Sequence, residues 1–301
     1  MYNTNTLLNF HDIVTGCSMF MDTVCSCIYA NASLPNAGQS DNNNSMLHRW
    51  LSSALSGNIY EIQNMLHFGA DVDMKQNNGI AALHITAYKG YTALTKLLLS
   101  SHAQINVQAA DGTVPLFCAA QENHSEIVDL LLDAKVSTSI KNNQGATPLH
   151  IAVKKDNYTI VFSLLDAHAH VNEPTADGTT SLHLAAINGN PEQIQLLLDA
   201  HADVNARNKY GATPLHYASQ QGSRGAVALL VAADADVNAQ DRNGSTPLHL
   251  AVQQGYAAIV KTLVTAGADK TLPAHSGETH IAGVRTIGSD ELVLIHNSAS
   301  Y

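Results

Sequence analysis

Seven glycines, Gly79, Gly112, Gly145, Gly178, Gly211, Gly244 and Gly277, stand 33 residues apart with no insertion between them. A fixed period of that length confines the chain to architectures in which one small unit recurs and buries its apolar face against its neighbours. The blocks behind the glycines repeat as well: Gly145-Ala-Thr-Pro-Leu-His150, Gly178-Thr-Thr-Ser-Leu-His183, Gly211-Ala-Thr-Pro-Leu-His216 and Gly244-Ser-Thr-Pro-Leu-His249. A small residue follows at constant offset (Ala119, Ala152, Ala185, Ala218, Ala251). Leucine runs recur in phase at Leu97-Leu98-Leu99, Leu130-Leu131-Leu132 and Leu196-Leu197-Leu198.

Each unit reads as two short helices and a turn. Thr147, Thr180, Thr213 and Thr246 stand just before a first helical turn, where a hydroxyl is expected to cap free amides. Pro148, Pro214 and Pro247 then take the first helical position, where a missing N–H costs little. Leu149, Ile151, Ala152 and Val153 supply an apolar face, and Asp156-Asn157, or Gly189, Gly222 and Gly255 in sister units, ends the helix. A second helix follows, as in Ile127-Val128-Asp129-Leu130-Leu131-Leu132, and a turn-rich Ala202-Asp203-Val204-Asn205-Ala206 leads to the next glycine. Asp71, Asp203, Asp236 and Asp269 share one offset of that turn and read as turn-capping carboxylates.

The Thr-Pro-Leu-His-x-Ala string, the leucine run and the Ala-Asp-Val-Asn segment resemble the signature of the ankyrin repeat family, whose period is the same. The resemblance implies an all-α ankyrin solenoid of about seven repeats. Six regular ones span 79–111, 112–144, 145–177, 178–210, 211–243 and 244–276, preceded by a degenerate first repeat, 46–78, that keeps Met65-Leu66 and Gly69-Ala70-Asp71-Val72. Residues 1–31 read as a short N-terminal segment apolar enough for a helical element, 32–45 as an Asn- and Ser-rich linker, and 277–301 as a C-terminal cap or tail in which 291–296 form a helical turn or a strand.

Two repeats depart from the pattern: 79–111 begins Gly-Ile-Ala-Ala-Leu-His, and 112–144 begins Gly-Thr-Val-Pro-Leu-Phe and carries Lys135-Val-Ser-Thr-Ser139 where sisters have His-Ala-Asp-Val-Asn. After the second helix, where Gly69 and Gly267 stand, five repeats use His102, Lys135, His168, His201 and Asp234. If that position is left-handed, each non-glycine residue there costs roughly 1–2 kcal/mol, less for His and Asp.

The 16 histidines invite a catalytic or metal reading. Yet His84, His150, His183, His216 and His249 recur at one offset, so one explanation must serve all five, and translation along a stack does not gather ligands at a point. They read as buried hydrogen bonds tying each turn to its neighbour. Cys17, Cys25 and Cys27 lie near His11 at spacings unlike a zinc finger and among Phe20, Met21, Val24 and Ile28, so packing is the expectation; Cys118 falls on an apolar offset and reads as core. No nucleophile elbow, phosphate-binding loop or His-Glu-x-x-His helix is present, so neither catalysis nor a cofactor or metal is expected.

Fifteen Lys and Arg against 25 Asp and Glu give a formal charge of −10, which argues against a nucleic-acid footprint. The first basic residue is Arg49 and Asp22 interrupts the most apolar early stretch, so neither a secretory signal nor a membrane span is expected. With four cysteines, the expectation is a soluble monomer of the reducing cytosol, with the nucleus or delivery into another cell's cytosol left open.

Positions that repeat hold a scaffold, so recognition belongs to those that vary. The resemblance implies a binding surface on the concave face, formed by the loop tips before each glycine and the exposed side of each first helix. Those offsets carry Tyr88 and Lys89, then Gln121 and Glu122, then Lys154 and Lys155. Later repeats contribute Ile187 and Asn188, then Lys209, Tyr210, Gln220 and Gln221, and finally Arg242, Asn243, Gln253 and Gln254. Asn77, Asn78, Asp111, Asn143, Gln144 and Asp177 fall at neighbouring tip positions. Tyr88, Tyr210 and Arg242 are of the types that dominate interfaces. The expected function is a non-enzymatic adaptor or scaffold that binds a protein partner. The alternative is an effector or regulatory protein whose array recruits a target while the Cys-containing N-terminal segment gives membrane attachment or a second contact.

Overall fold

Pro115, Pro148, Pro191, Pro214 and Pro247 each open a helix, where their fixed φ suits the first turn and no intrahelical donor is lost. The computed structural model describes residues 42–274 and, beyond them, strands β1 (Val284–Ile287) and β2 (Glu291–Leu294). The N-terminal segment 1–31, with Cys17, Cys25 and Cys27, lies outside the described residues. The chain divides after Gln144 into two units.

The first unit contains α1 (Asn42–Ser56), α2 (Ile59–His67), α3 (Ala82–Lys89), α4 (Thr92–Ser100), α5 (Pro115–Gln121) and α6 (Ser125–Asp133). First helices α1, α3 and α5 pack in one row, and α2, α4 and α6 in a second. Between the rows lies a core that includes Trp50, Ile62, Leu83, Ile85, Leu98, Phe117 and Leu131, all fully buried, and Cys118 is buried beside them. Helix α1 begins at Asn42, inside the stretch 32–45 read as linker. Burial of Trp50, Leu51 and Ala54 on its inner face carries the helix back into an Asn-rich sequence of poor helix formers.

The second unit contains α7 (Pro148–Lys154), α8 (Tyr158–Asp166), α9 (Ser181–Asn188), α10 (Pro191–Asp199), α11 (Pro214–Gln221), α12 (Arg224–Ala232), α13 (Pro247–Gln253) and α14 (Ala257–Thr265) in the same two-row arrangement. Strands β1 and β2 pair antiparallel, with Val284 opposite Leu294, and β2 runs beside α14. Of the two readings of this stretch, the strand is the one found over Glu291–Leu294, so the helical array carries a two-stranded addition.

The repeated histidines tie one repeat to the next. His150 Nδ1 accepts the Thr147 N–H at 3.1 Å, and its Nε2 lies 3.2 Å from the Thr179 carbonyl. His84 does the same with Ala81 and Thr113, His183 with Thr180 and Ala212, and His216 with Thr213 and Ser245. The capping expected of the threonines is thus largely reversed: Thr147, Thr180 and Thr213 place their hydroxyls 2.8–2.9 Å from the imidazole Nδ1, and only Thr246 also accepts from a helix amide, His249 N–H at 3.3 Å. Thr246 shows that the two contacts are compatible, since its hydroxyl also lies 2.7 Å from the His249 Nδ1.

A second series of ties runs through asparagine. Asn205 accepts the Asp236 N–H at 2.7 Å and donates to the Asp234 carbonyl; Asn172 does the same for Asp203 and His201, and Asn238 for Asp269 and Gly267. In the first unit Asp73 and Asn106 accept from Gln104 and Ser137. Asp71, Asp203, Asp236 and Asp269 each accept the N–H two residues on, as turn-capping carboxylates should.

The corner after each second helix is left-handed. His102, Lys135, His168, His201 and Asp234 have φ between 59° and 64°, beside 83° and 92° at Gly69 and Gly267. At the tips the glycine is obligatory for a further reason. A Cβ on Gly79 would stand 2.6 Å from the Gln108 carbonyl oxygen at the approach to the next tip, and one on Gly145 would stand 2.6 Å from Ala176 N.

Candidate protein-binding surface

The loop tips that carry many of the variable residues are tightly braced. In the first unit Asn143 N–H donates to the Asp111 carbonyl at 2.8 Å, and Ala110 N–H to Asn78 at 2.7 Å. In the second, Lys209 N–H donates to Asp177 at 2.7 Å and Arg242 N–H to Tyr210 at 2.9 Å. Backbone ladders of this kind fix the direction in which each exposed tip side chain leaves the chain.

Several tip residues are consumed by that bracing. Asp177, 8% exposed, accepts from the Thr175 hydroxyl and the Thr179 N–H, and Asp111 likewise accepts from the Thr113 N–H and hydroxyl. Burial pushes the Asp177 carboxyl up, but those Thr175 and Thr179 hydrogen bonds, with the charge of Lys209, hold it below the usual carboxylate range. Asp241 and Asn208 are buried in equivalent turns; Asn208 also donates to the Tyr217 hydroxyl at 2.7 Å. These groups shape the surface from beneath.

In the first unit, the Lys89 ammonium lies over the Tyr88 ring at 5.7 Å, and Gln121 donates to Glu122 at 3.1 Å. In the second, Lys209 covers the Tyr210 ring at 4.9 Å, a cation–π distance, and Tyr210 remains exposed. Lys155, Gln221, Arg242, Asn243, Gln253 and Gln254 are exposed, while Lys154, Ile187 and Gln220 are half-buried. Asn188 is less free than its offset suggests, because its amide donates to the Val153 carbonyl at 2.7 Å. Only a partner in the preceding repeat reveals that role, and the asparagine series was missed for the same reason. The recurring Val171-Asn172, Val204-Asn205 and Val237-Asn238 pairs were its one sequence signal.

The side chains offer charge of both signs, amides and two aromatic rings stacked under cations, a set suited to a folded or extended polypeptide. Burial drives His84 and His183 down to about 4 and lowers His216 too, so these rings stand neutral in the core, away from the exposed surface. Among the described residues no three His, Cys, Asp or Glu side chains are grouped to hold a metal. No helix there is long and apolar enough to cross a membrane.

Two-row helical repeats with braced tips define a class of stacked helix–turn–helix proteins. Within it, the family described as "Ankyrin repeats (3 copies)" matches residues 50–142, 96–175, 149–241 and 182–274, and the chain belongs to the ankyrin repeat family. Ankyrin repeats generally mediate protein–protein interaction and are typically non-catalytic. The crystal structure of the ankyrin repeat domain of Bcl-3, a unique member of the IκB protein family, is similar at 30% identity, covering 68% of this chain and 93% of that one with a TM-score of 0.60. The human ASB11 ankyrin repeat domain shares the fold at 24% identity, 75% and 99% coverage and a TM-score of 0.65. No curated protein matches the sequence.

Proposed function

We propose that the chain is a monomeric, non-catalytic adaptor of the cytosol that docks a protein partner on its loop tips and on the exposed side of its first helices. The observation that carries this reading is the contrast between braced backbone and variable side chain. Tip amides are held by bonds such as Lys209 to Asp177, while adjacent side chains such as Lys209, Tyr210, Arg242 and Asn243 reach solvent. A surface ordered before binding loses little conformational entropy on docking, so modest contacts suffice for affinity. Tyr88, Tyr210 and Arg242 are the anchors, and the lysines and glutamines around them set register.

The experiment is affinity capture with the full chain beside a Tyr88→Ala/Tyr210→Ala/Arg242→Ala variant whose helical circular dichroism is unchanged. Loss of the captured partner supports the reading. An unchanged set of partners overturns it.

A further inference from the structure

One exposed position on the second helices holds an ion pair in the first unit and aromatic surface in the second. In the first unit, Lys96 Nζ on α4 lies 3.1 Å from Glu126 on α6, and the Thr92 hydroxyl donates to the same carboxylate. Two whole repeats further on, the three equivalent positions hold Phe162, Glu192 and Tyr158. The carboxylate is present in both, but at Glu192 it has neither the lysine nor the threonine hydroxyl that satisfy Glu126. Among the described residues Glu192 makes neither an ion pair nor a side-chain hydrogen bond.

What replaces them is exposed. Phe162 is 52% and Tyr158 48% exposed, one turn apart on α8, whereas Lys96, Asp129, Gln195, Ala228 and Lys261 occupy the Phe162 position in the other regular repeats. Tyr158, Pro191, Leu196 and Leu229 line a shallow groove of about 390 Å³ that runs from α8 across α10 to α12. Its charged lining residues are Glu192 and Asp199, with no cation among them. Gly225 lets the Pro191 ring sit close at the end of the groove, since a Cβ there would stand 2.8 Å from Pro191 Cγ.

We propose that this face of the second unit docks a segment of a partner protein that lays an apolar side chain into the Tyr158–Leu229 groove and presents Lys or Arg to Glu192. The partner's cation takes the place that Lys96 has on Glu126. A carboxylate beside exposed aromatics favours such a basic, apolar segment and opposes an anionic lipid surface. This surface lies on the second helices, so it is separate from the tips and would let the chain hold two proteins at once.

The substitution Phe162→Lys places beside Glu192 the cation that Lys96 supplies in the first unit, so it competes with the partner's cation and removes one of the two exposed rings while leaving the groove lining in place. The probe is a dye-labelled, 18-residue amphipathic Leu/Lys peptide, titrated by fluorescence anisotropy with the full chain. Because the chain carries a net charge of −10, a basic peptide binds it weakly anywhere, so Ser100→Lys serves as a control of equal charge change. Expected is a tenfold or greater weakening with Phe162→Lys and with Glu192→Lys, little change with Ser100→Lys, and no change with Tyr88→Ala/Tyr210→Ala/Arg242→Ala. Equal weakening by Phe162→Lys and Ser100→Lys overturns the proposal. So does self-association of the chain that Phe162→Lys abolishes, or binding to phosphatidylserine vesicles that exceeds binding to the peptide.

Discussion

His150 joins two repeats through one ring: its Nδ1 accepts the Thr147 N–H in its own repeat, and its Nε2 donates across 3.2 Å to the carbonyl of Thr179 in the next. Both partners are buried, so the ring satisfies two backbone groups that have no access to water. Removing it leaves the Thr147 N–H unpaired, at about 1–3 kcal/mol, while the Thr179 carbonyl keeps the Thr175 N–H and hydroxyl and loses only its tie to the preceding repeat. His150→Leu is therefore expected to lower unfolding free energy by about 1–3 kcal/mol in urea titrations followed by circular dichroism. A loss below about 0.5 kcal/mol would mean that the tie contributes little.

The same rings make the stack acid-sensitive. His84 and His183 hold pKa values of about 4 because burial disfavours the charged ring, against about 6.5 in the unfolded chain. The unfolded state therefore binds protons that the folded state refuses, and stability falls as pH drops from about 6.5 toward 4. Each ring contributes a slope of up to about 1.4 kcal/mol per pH unit within that window. The lowered Asp177 carboxyl acts later, its stabilisation fading below the ordinary carboxylate value of 3.8. Urea midpoints measured at pH 7.5, 6 and 5 should decline steadily, and His183→Phe should flatten the decline; a flat wild-type profile would contradict the buried neutral rings.

The left-handed corners are strained where the residue is not glycine. Lys135, at φ 63°, has neither the short polar side chain of Asp nor the ring of His to ease that conformation. His201→Gly is expected to raise unfolding free energy by about 0.5–1 kcal/mol, and Lys135→Gly by slightly more, after allowing for the greater freedom of glycine in the unfolded chain. Thermal melts of the two variants test this; a lower midpoint in both would refute relief of strain.

Gln193 is fully buried on α10, with both side-chain amide atoms lacking a hydrogen-bond partner among the described residues. Ile127, Ile160 and Ile259 occupy the equivalent position in sister repeats. Exchanging the amide for an unbranched apolar side chain of the same length, Gln193→Met, is expected to stabilise the chain by about 1–2 kcal/mol. A lower midpoint would show that the amide is satisfied in solution by a buried water.

Much of this structure was written in short-range chemistry. Gly79 and its sisters, Pro148 with its equivalents and the repeated histidines marked turns, helix starts and inter-repeat ties, because each needs one residue type at one place. What the sequence concealed depends on partners a repeat away. Asn188 and the asparagine series act on backbone about 30 residues distant, and neither reads as anything but a polar surface residue. The threonines stand at the helix starts as read, but three of the four hydroxyls pair with the imidazole three residues further along, a partner that the capping pattern does not name. The Tyr158–Phe162 face became visible only when the Lys96–Glu126 pair supplied the pattern it breaks.

The tip glycines carry a consequence for how such a chain can change length. The close approach of Gly79 to Gln108, the reach of His150 to Thr179 and the bond from Asp236 to Asn205 each depend on a fixed count of residues between partners. Inserting or deleting one residue between a histidine and its carbonyl would desynchronise all three kinds of contact at that junction together. Growth or shrinkage is thereby quantised: a complete cassette can be gained or lost with every contact preserved, and nothing smaller can.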